Sequence, residues 1–368
     1  MSDKLLTHSV ITLALPMLAT PVFAYDVNDQ LSIGVVLAGT AQCQTVSDAP
    51  GASNTCESAA VFQPELSYRP TAADEVFFKL GFAAGNGLNG VSPFTIAPWA
   101  ADLEDDVTNL NGRNRDYLLT AWYKHTFRLG DDQDLGATFG IIDATDYLDD
   151  NAYANDEYTQ FMNAALTNGP NVFLPSYDQG LALEWDAGPW SVRGVLMNVG
   201  ENDDGNSFSF YGLQAGYTVN TSLGTGTYRL ILTATSQDFL NPAGTQLESR
   251  ASTLFSLDQE FGSMLGGWLR VGWQTDAAAV DYDALYSGGI SLKGTAWGRA
   301  DDNVGLGLAY LAGGSLDIDA SQVFETYYRW QLGDLFGLTA DIQYQNDDYL
   351  SGPGPNGWTY GLRATAEF

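Results

Sequence analysis

The chain has 368 residues, and its 45 acidic against 15 basic side chains give a formal net charge of -30. Nucleic-acid phosphates require a basic surface, so that balance excludes a nucleic-acid partner. With 40 Gly, 19 Tyr, 18 Phe and 9 Trp, the composition favours turns and strands over helices.

Residues 1–24 open with Lys4 and polar side chains, continue through an apolar run and end in Val22-Phe23-Ala24. Pro16 interrupts the run, and a helical span needs about 20 apolar residues. A signal peptide over 1–24 is predicted, leaving one exported domain, 25–368. No other stretch approaches that length without a charge, so helical spans are not expected. Cys43 and Cys56 flank the Gly/Pro/Ser-rich segment QTVSDAPGASNT. In an oxidising compartment they read as a disulfide closing a short surface loop. Two thiols are too few for a metal site, and no cofactor is expected.

From there the dominant signal is alternation of period two. Strands are predicted over 30–40, 61–69, 75–85, 115–129, 134–144, 178–187, 189–199, 208–220, 226–238, 252–262, 267–277, 286–298, 303–313, 321–333, 337–346 and 357–368. Tight links such as 130–133, 187–188 and 222–225 take turns with long ones at 86–114, 145–177, 239–251 and 347–356. The predicted fold is therefore all-β: a transmembrane up-and-down antiparallel barrel of about 16 strands, with short periplasmic turns and long outer loops. A soluble sandwich also alternates, but so many strands of nine residues or more suit a tilted bilayer crossing better, and closure removes unpaired edges.

The last strand, WTYGLRATAEF, is apolar at every even position, which assigns that side to lipid and the side of Arg363 and Glu367 to the lumen. The same rule turns Lys79, Lys124, Arg193, Arg229, Arg270, Lys293, Arg329 and Arg363 inward, with Arg69 and Arg128. The acids Glu65, Glu184, Asp186, Asp258, Glu260, Glu325, Asp341 and Glu367 join them. Lys79, Lys124, Arg193, Arg229, Arg270, Lys293, Glu325, Arg329, Asp341 and Arg363 are the expected pore-lining residues, with Tyr327 and Trp297 as inward aromatics. Lipid excludes charge, so part of this pattern is forced; the remainder suits a near-neutral wall that holds polar, hydroxylated solutes. The acidic runs 103–106, 146–157, 201–205 and 346–349 read as solvated outer loops. Their spacing does not match an EF-hand.

His125 is the single base available to a membrane-barrel hydrolase, but it shares a face with Tyr117, Leu119, Ala121, Tyr123 and Phe127, and no Gly-x-Ser-x-Gly elbow occurs. An enzyme is not expected.

The segment FGIIDATDYLDDNAYANDEYTQFMNAAL (139–166), followed by NVGLGLAYLAGG (303–314), QVFETYYRWQL (322–332) and GLTADIQYQND (337–347), resembles the carbohydrate-selective porins of bacterial outer membranes. The resemblance covers about the last two-thirds of the chain. It implies a sixteen-stranded diffusion channel for glucose and other sugars, narrowed by a loop that folds inward and carries Asp150, Asn151, Asn155, Asp156 and Gln160. Arg329 and Glu325 fall on its wall. The chain is short for that family, its first third matches poorly and its loops are more acidic. A general or ion-selective porin, and a plugged structural or adhesive barrel, remain alternatives. The terminal Phe368 resembles the C-terminal signature read by the barrel-assembly machinery. Expected partners are outer-membrane lipid, that machinery, small polar solutes and a further copy of the chain.

Overall fold

Alternation gives each strand one face for lipid and one for the interior, and hydrocarbon offers no hydrogen bonds to a free strand edge. The computed structural model, which describes residues 25–49 and 51–368, resolves that constraint by closure; the expected signal peptide lies outside the described residues. The barrel strands are β1 (Leu31–Ser47), β2 (Thr55–Thr71), β3 (Asp74–Leu80, resumed at Phe82–Ala84), β4 (Leu118–Arg128), β5 (Gln133–Ile142), β6 (Asp178–Ala187), β7 (Trp190–Val199) and β8 (Phe208–Thr221). They continue as β9 (Gly224–Thr235), β10 (Ala251–Phe261), β11 (Leu265–Gln274), β12 (Tyr282–Lys293), β13 (Asn303–Gly313), β14 (Ile318–Leu332), β15 (Phe336–Tyr349) and β16 (Gly352–Glu367). Each pairs antiparallel with its neighbours, and β16 returns to β1 with Arg363 opposite Thr40. The closed sixteen-stranded barrel expected from the alternation is the fold observed.

The outer surface carries Leu37, Leu183, Leu213, Leu232, Leu269, Leu308 and Leu362, all exposed. Aromatic pairs mark both rims. Trp273–Tyr286 and Tyr344–Trp358 lie toward the outer loops, while Trp190–Tyr217 and Tyr328–Trp330 lie toward the short turns. Such girdles place amphipathic rings at the two interfaces.

Some details differ from the sequence expectation. β12 stops at Lys293, where a 3₁₀ turn, Gly294–Trp297, begins. Trp297 therefore points outward: its Nε1 donates to Tyr328 Oη at 2.9 Å. Leu119 is fully buried inside, because the ladder shifts register between Lys79 and Leu80 beside Tyr117, whose φ is 62°. The expected Cys43–Cys56 disulfide is present, but β1 and β2 run past their expected ends, so the two cysteines sit on strands as a cross-strand pair that closes the hairpin between them. His125 lies outside near a short turn, with Nδ1 2.7 Å from Asp74 Oδ1, and Asp74 also accepts from Tyr123 Oη at 2.6 Å.

Leu308 sits mid-strand on the outer face. Leu308→Arg should lower stability by about 2–4 kcal/mol in reversible unfolding from vesicles, the cost of a charge facing lipid near the midplane. An unchanged stability would place that face elsewhere.

Candidate functional site: a lumen filled by two loops

Register assembles the inner wall. Cross-strand pairing sets Glu65 opposite Lys79, and Glu184 opposite Arg193. The first of these is an ion pair, Lys79–Glu65 at 3.2 Å, whereas Glu184 meets Lys124 at 2.5 Å and Arg193 meets Asp186 at 2.8 Å, each pair partly open to water. Between the first two lies an aromatic pair the alternation analysis had not singled out. Phe77 and Trp122 are direct cross-strand partners on inward positions, stacked with centroids 4.9 Å apart and both partly exposed. Gly140, opposite Trp122 with φ 145°, makes room for them; a Cβ there would strike the backbone of Ala121 and Trp122. Two aromatics at matching register on adjacent predicted strands were the signal that could have found this pair.

The far side of the lumen is not water-filled. Residues 143–177, between β5 and β6, fold into the barrel. Leu148, Asp149, Ala154, Phe161, Met162, Leu166 and Val172 are almost entirely buried. They pack on an inner wall that is itself apolar: Ile231, Leu254, Trp268, Leu285, Leu311 and Val323. Residues 85–117, between β3 and β4, join them, with Trp99 and Leu103 buried beside Met162. The two loops exchange backbone hydrogen bonds, Ala100 N to Met162 O at 2.8 Å and Ala164 N to Ala97 O at 3.1 Å.

Inner-wall charges fasten this insertion. Arg270, with no exposed surface, donates from Nε to Asp149 Oδ1 at 2.9 Å and reaches the carbonyls of Leu166 (3.2 Å), Thr167 (3.3 Å) and Ala154. Glu325 accepts from the amides of Met162 (2.6 Å) and Asn163 (2.9 Å). The Asn163 side chain in turn caps the short helix Ala164–Thr167 and donates to Gln343 at 3.0 Å. Arg363 donates to the carbonyls of Glu157 (2.6 Å) and Gln160 (2.9 Å). Glutamines of the wall hold the other loop: Gln42 and Gln343 donate to Pro98 O at 3.2 and 2.9 Å, and Gln345 to Ile96 O at 2.9 Å.

A family model described as "Carbohydrate-selective porin, OprB family" matches residues 89–347. The chain belongs to that family. An uncharacterized protein of Aquifex aeolicus (strain VF5) is 30% identical over 277 residues, 74% of this chain and 79% of that one. The high-pH structure of Pseudomonas putida OprB superposes with a TM-score of 0.70 at 14% identity, covering 92% and 94% of the two chains. Pseudomonas aeruginosa OccK11 gives 0.54 at 10% identity, covering 92% and 96%. These likenesses are of fold. The family and the barrel are those of outer-membrane channels, not of enzymes.

In this porin the residues expected to line water separate into two sets. Lys79, Lys124, Arg193, Lys293 and Arg329 have partly exposed side chains. Arg270, Glu325, Asp341 and Arg363 point inward as the alternation requires, but they lie beneath the inserted loop with 2% exposure or less. Arg270, Glu325 and Arg363 anchor the loop, Asp341 accepts from the wall's own Gln343 at 2.9 Å, and none of the four lines water. Arg229 is intermediate, bridging Asp150 at 2.7 Å and Asp258 at 2.5 Å. The run 146–157, read as a solvated outer loop, instead lies in the lumen. Asp150 stays exposed; Asn151 donates to Leu257 O at 3.1 Å. Asn155 accepts from Asn168 at 2.7 Å, Asp156 accepts from Tyr158 N at 2.7 Å, and Gln160 donates to Ala152 O at 3.0 Å.

Arg270→Met would leave Asp149 buried without its cation, a cost of about 3–5 kcal/mol. The loop should loosen, raising single-channel conductance and the size limit for solutes. Adding Asp149→Leu should recover most of the stability, and an unchanged conductance in both variants would remove the anchoring role.

Proposed function

We propose that this porin is a passive diffusion channel for small carbohydrates such as glucose. The observation that carries this reading is the Phe77–Trp122 stack between the Lys79–Glu65 and Lys124–Glu184 pairs. An aromatic face receives the C–H face of a sugar ring. Ion pairs on either side supply donors and acceptors together, which serve hydroxyl groups without favouring ions of one sign. The inserted loop narrows the path on which these groups stand, so selectivity arises from width and paired charges. Asp150, Asn151, Asn155, Asp156 and Gln160 belong to that narrowing loop.

Export by a signal peptide over residues 1–24, the Cys43–Cys56 disulfide and insertion through the assembly machinery complete this reading. Phe368 closes β16 against β1 through Val35, its carbonyl accepting at 2.7 Å. Its side chain remains partly exposed and accessible to a recognition partner.

The packing of both loops favours one competing reading, a plugged barrel. Liposome swelling with sugars of graded size distinguishes the two. Glucose should swell the vesicles and partly block single-channel current. Phe77→Ala and Trp122→Ala should each weaken glucose block roughly threefold to tenfold while ion conductance persists, the loss of about 0.5–1.5 kcal/mol of aromatic contact. Correctly folded protein that neither conducts nor swells vesicles would leave the plugged barrel standing.

A further inference from the structure

Almost every inward cation of this porin is met by a carboxylate or consumed by the loop. Lys79, Lys124, Arg193, Arg229 and Arg270 all have an acidic oxygen within 3.2 Å, and Arg363 is spent on carbonyls. Two are exceptions. Among the described residues Lys293 has no acidic partner within 4.0 Å, and Arg329 reaches Glu367 only at 4.0 Å, with its Nε unpartnered. In a chain with 45 acids this is a selective omission.

Register puts the two cations together. Lys293 pairs with Asn303, and Asn303 with Arg329, so the three form a row across β12, β13 and β14 at the end nearest the short turns. They line a cavity of about 290 Å³, near the lower bound for small-molecule sites. Its roof comes from the inserted loop, including Tyr153, and Tyr327 supplies a second ring. Both rings are seated on glycine: a Cβ at Gly266 would overlap the Tyr153 ring, and one at Gly305 the Tyr327 ring. Asn303 gives its amide hydrogen to Tyr327 Oη at 3.3 Å and keeps an unpartnered Oδ1. Asp302, on the rim, is already engaged by Arg299 Nε at 2.5 Å and Tyr328 Oη at 2.6 Å. The Arg299 contact holds its carboxyl below the usual carboxylate range. Asp301 is left at the mouth as an acceptor.

The geometry points to a second solute subsite at the periplasmic end of the lumen, taking a monosaccharide that carries a carboxylate. Lys293 and Arg329 receive the carboxylate, an arrangement stronger than neutral hydrogen bonds. Ser291 and Asp301 meet hydroxyl groups, Asn303 stands between the two cations, and Tyr153 offers a ring face. The subsite rests on the reading of this protein as a sugar channel and adds a charged substrate class to it.

The test uses reconstituted full-length channels with glucuronate, glucose and acetate as probes. Glucuronate added on the periplasmic side should block current at concentrations about tenfold lower than glucose or acetate. Lys293→Gln and Arg329→Gln should each raise the blocking concentration of glucuronate at least fivefold, and Lys293→Arg should restore it. Acetate blocking as well as glucuronate, or glucuronate block untouched by both substitutions, would overturn the subsite while glucose swelling keeps the channel reading intact. Should the variants fail to fold, equal glucuronate block from both sides of the unsubstituted channel would overturn it equally. Absence of any conductance would overturn the subsite together with the reading beneath it.

Discussion

Hydrocarbon accepts neither a bare charge nor an unpaired backbone group, and the arrangement of this porin depends on that constraint. It closes sixteen strands into a barrel and turns ten Lys and Arg inward, leaving Leu and aromatic side chains outside. Once inside, those charges still require partners, because an unpaired charge away from water is expensive. Some find a carboxylate one strand away. Others are met by a loop brought in from the outer side, so the same exclusion that forms the wall also supplies the attachment points of what fills it.

The insertion is held by two kinds of contact with different roles. Apolar burial against Ile231, Leu254, Trp268, Leu285, Leu311 and Val323 provides area without direction. Arg270, Glu325 and Arg363 provide direction, since a guanidinium or carboxylate with several fixed partners admits one placement of the loop backbone. Asp149 contributes to the same end, accepting from Gly169 N at 2.8 Å as well as from Arg270. A loop of some thirty-five residues gains a single seat in this way, although its only α-helix is the four-residue turn Ala164–Thr167, with 3₁₀ turns at Ala144–Asp146 and Pro170–Val172.

The barrel was legible in the sequence because lipid enforces alternation on one face of every strand, and strand ends were readable to within a few residues for most of the sixteen. The lumen was less legible. Alternation tells which way a side chain points, not what it meets, so Arg270 and Lys79 looked alike although one is sealed beneath a loop and the other faces water. The apolar inward residues were the available clue. Ile231 within TYRLILTA breaks the polar character of its face, and its counterparts Leu254, Leu285 and Leu311 do the same on neighbouring strands. Read together, those positions mark the seat of an inserted segment. Trp297 and Leu119 were misplaced for a local reason: a 3₁₀ turn and a register shift interrupt the period on which the reading relied.

The asymmetry of the filling has a functional consequence. The loops pack against strands all round the barrel, β1, β15 and β16 included, and most of the ion pairs left partly open lie on the arc from β2 to β7, where Phe77 and Trp122 stand. A solute on that arc meets paired charges and an aromatic surface on one side and the loop on the other. On the proposed carbohydrate reading, confinement to one arc brings hydroxyl groups within reach of fixed donors at each step, which a central, water-filled bore of a sixteen-stranded barrel would not do. Selectivity in such a channel is set by how the loop is fastened as much as by the residues that touch the solute.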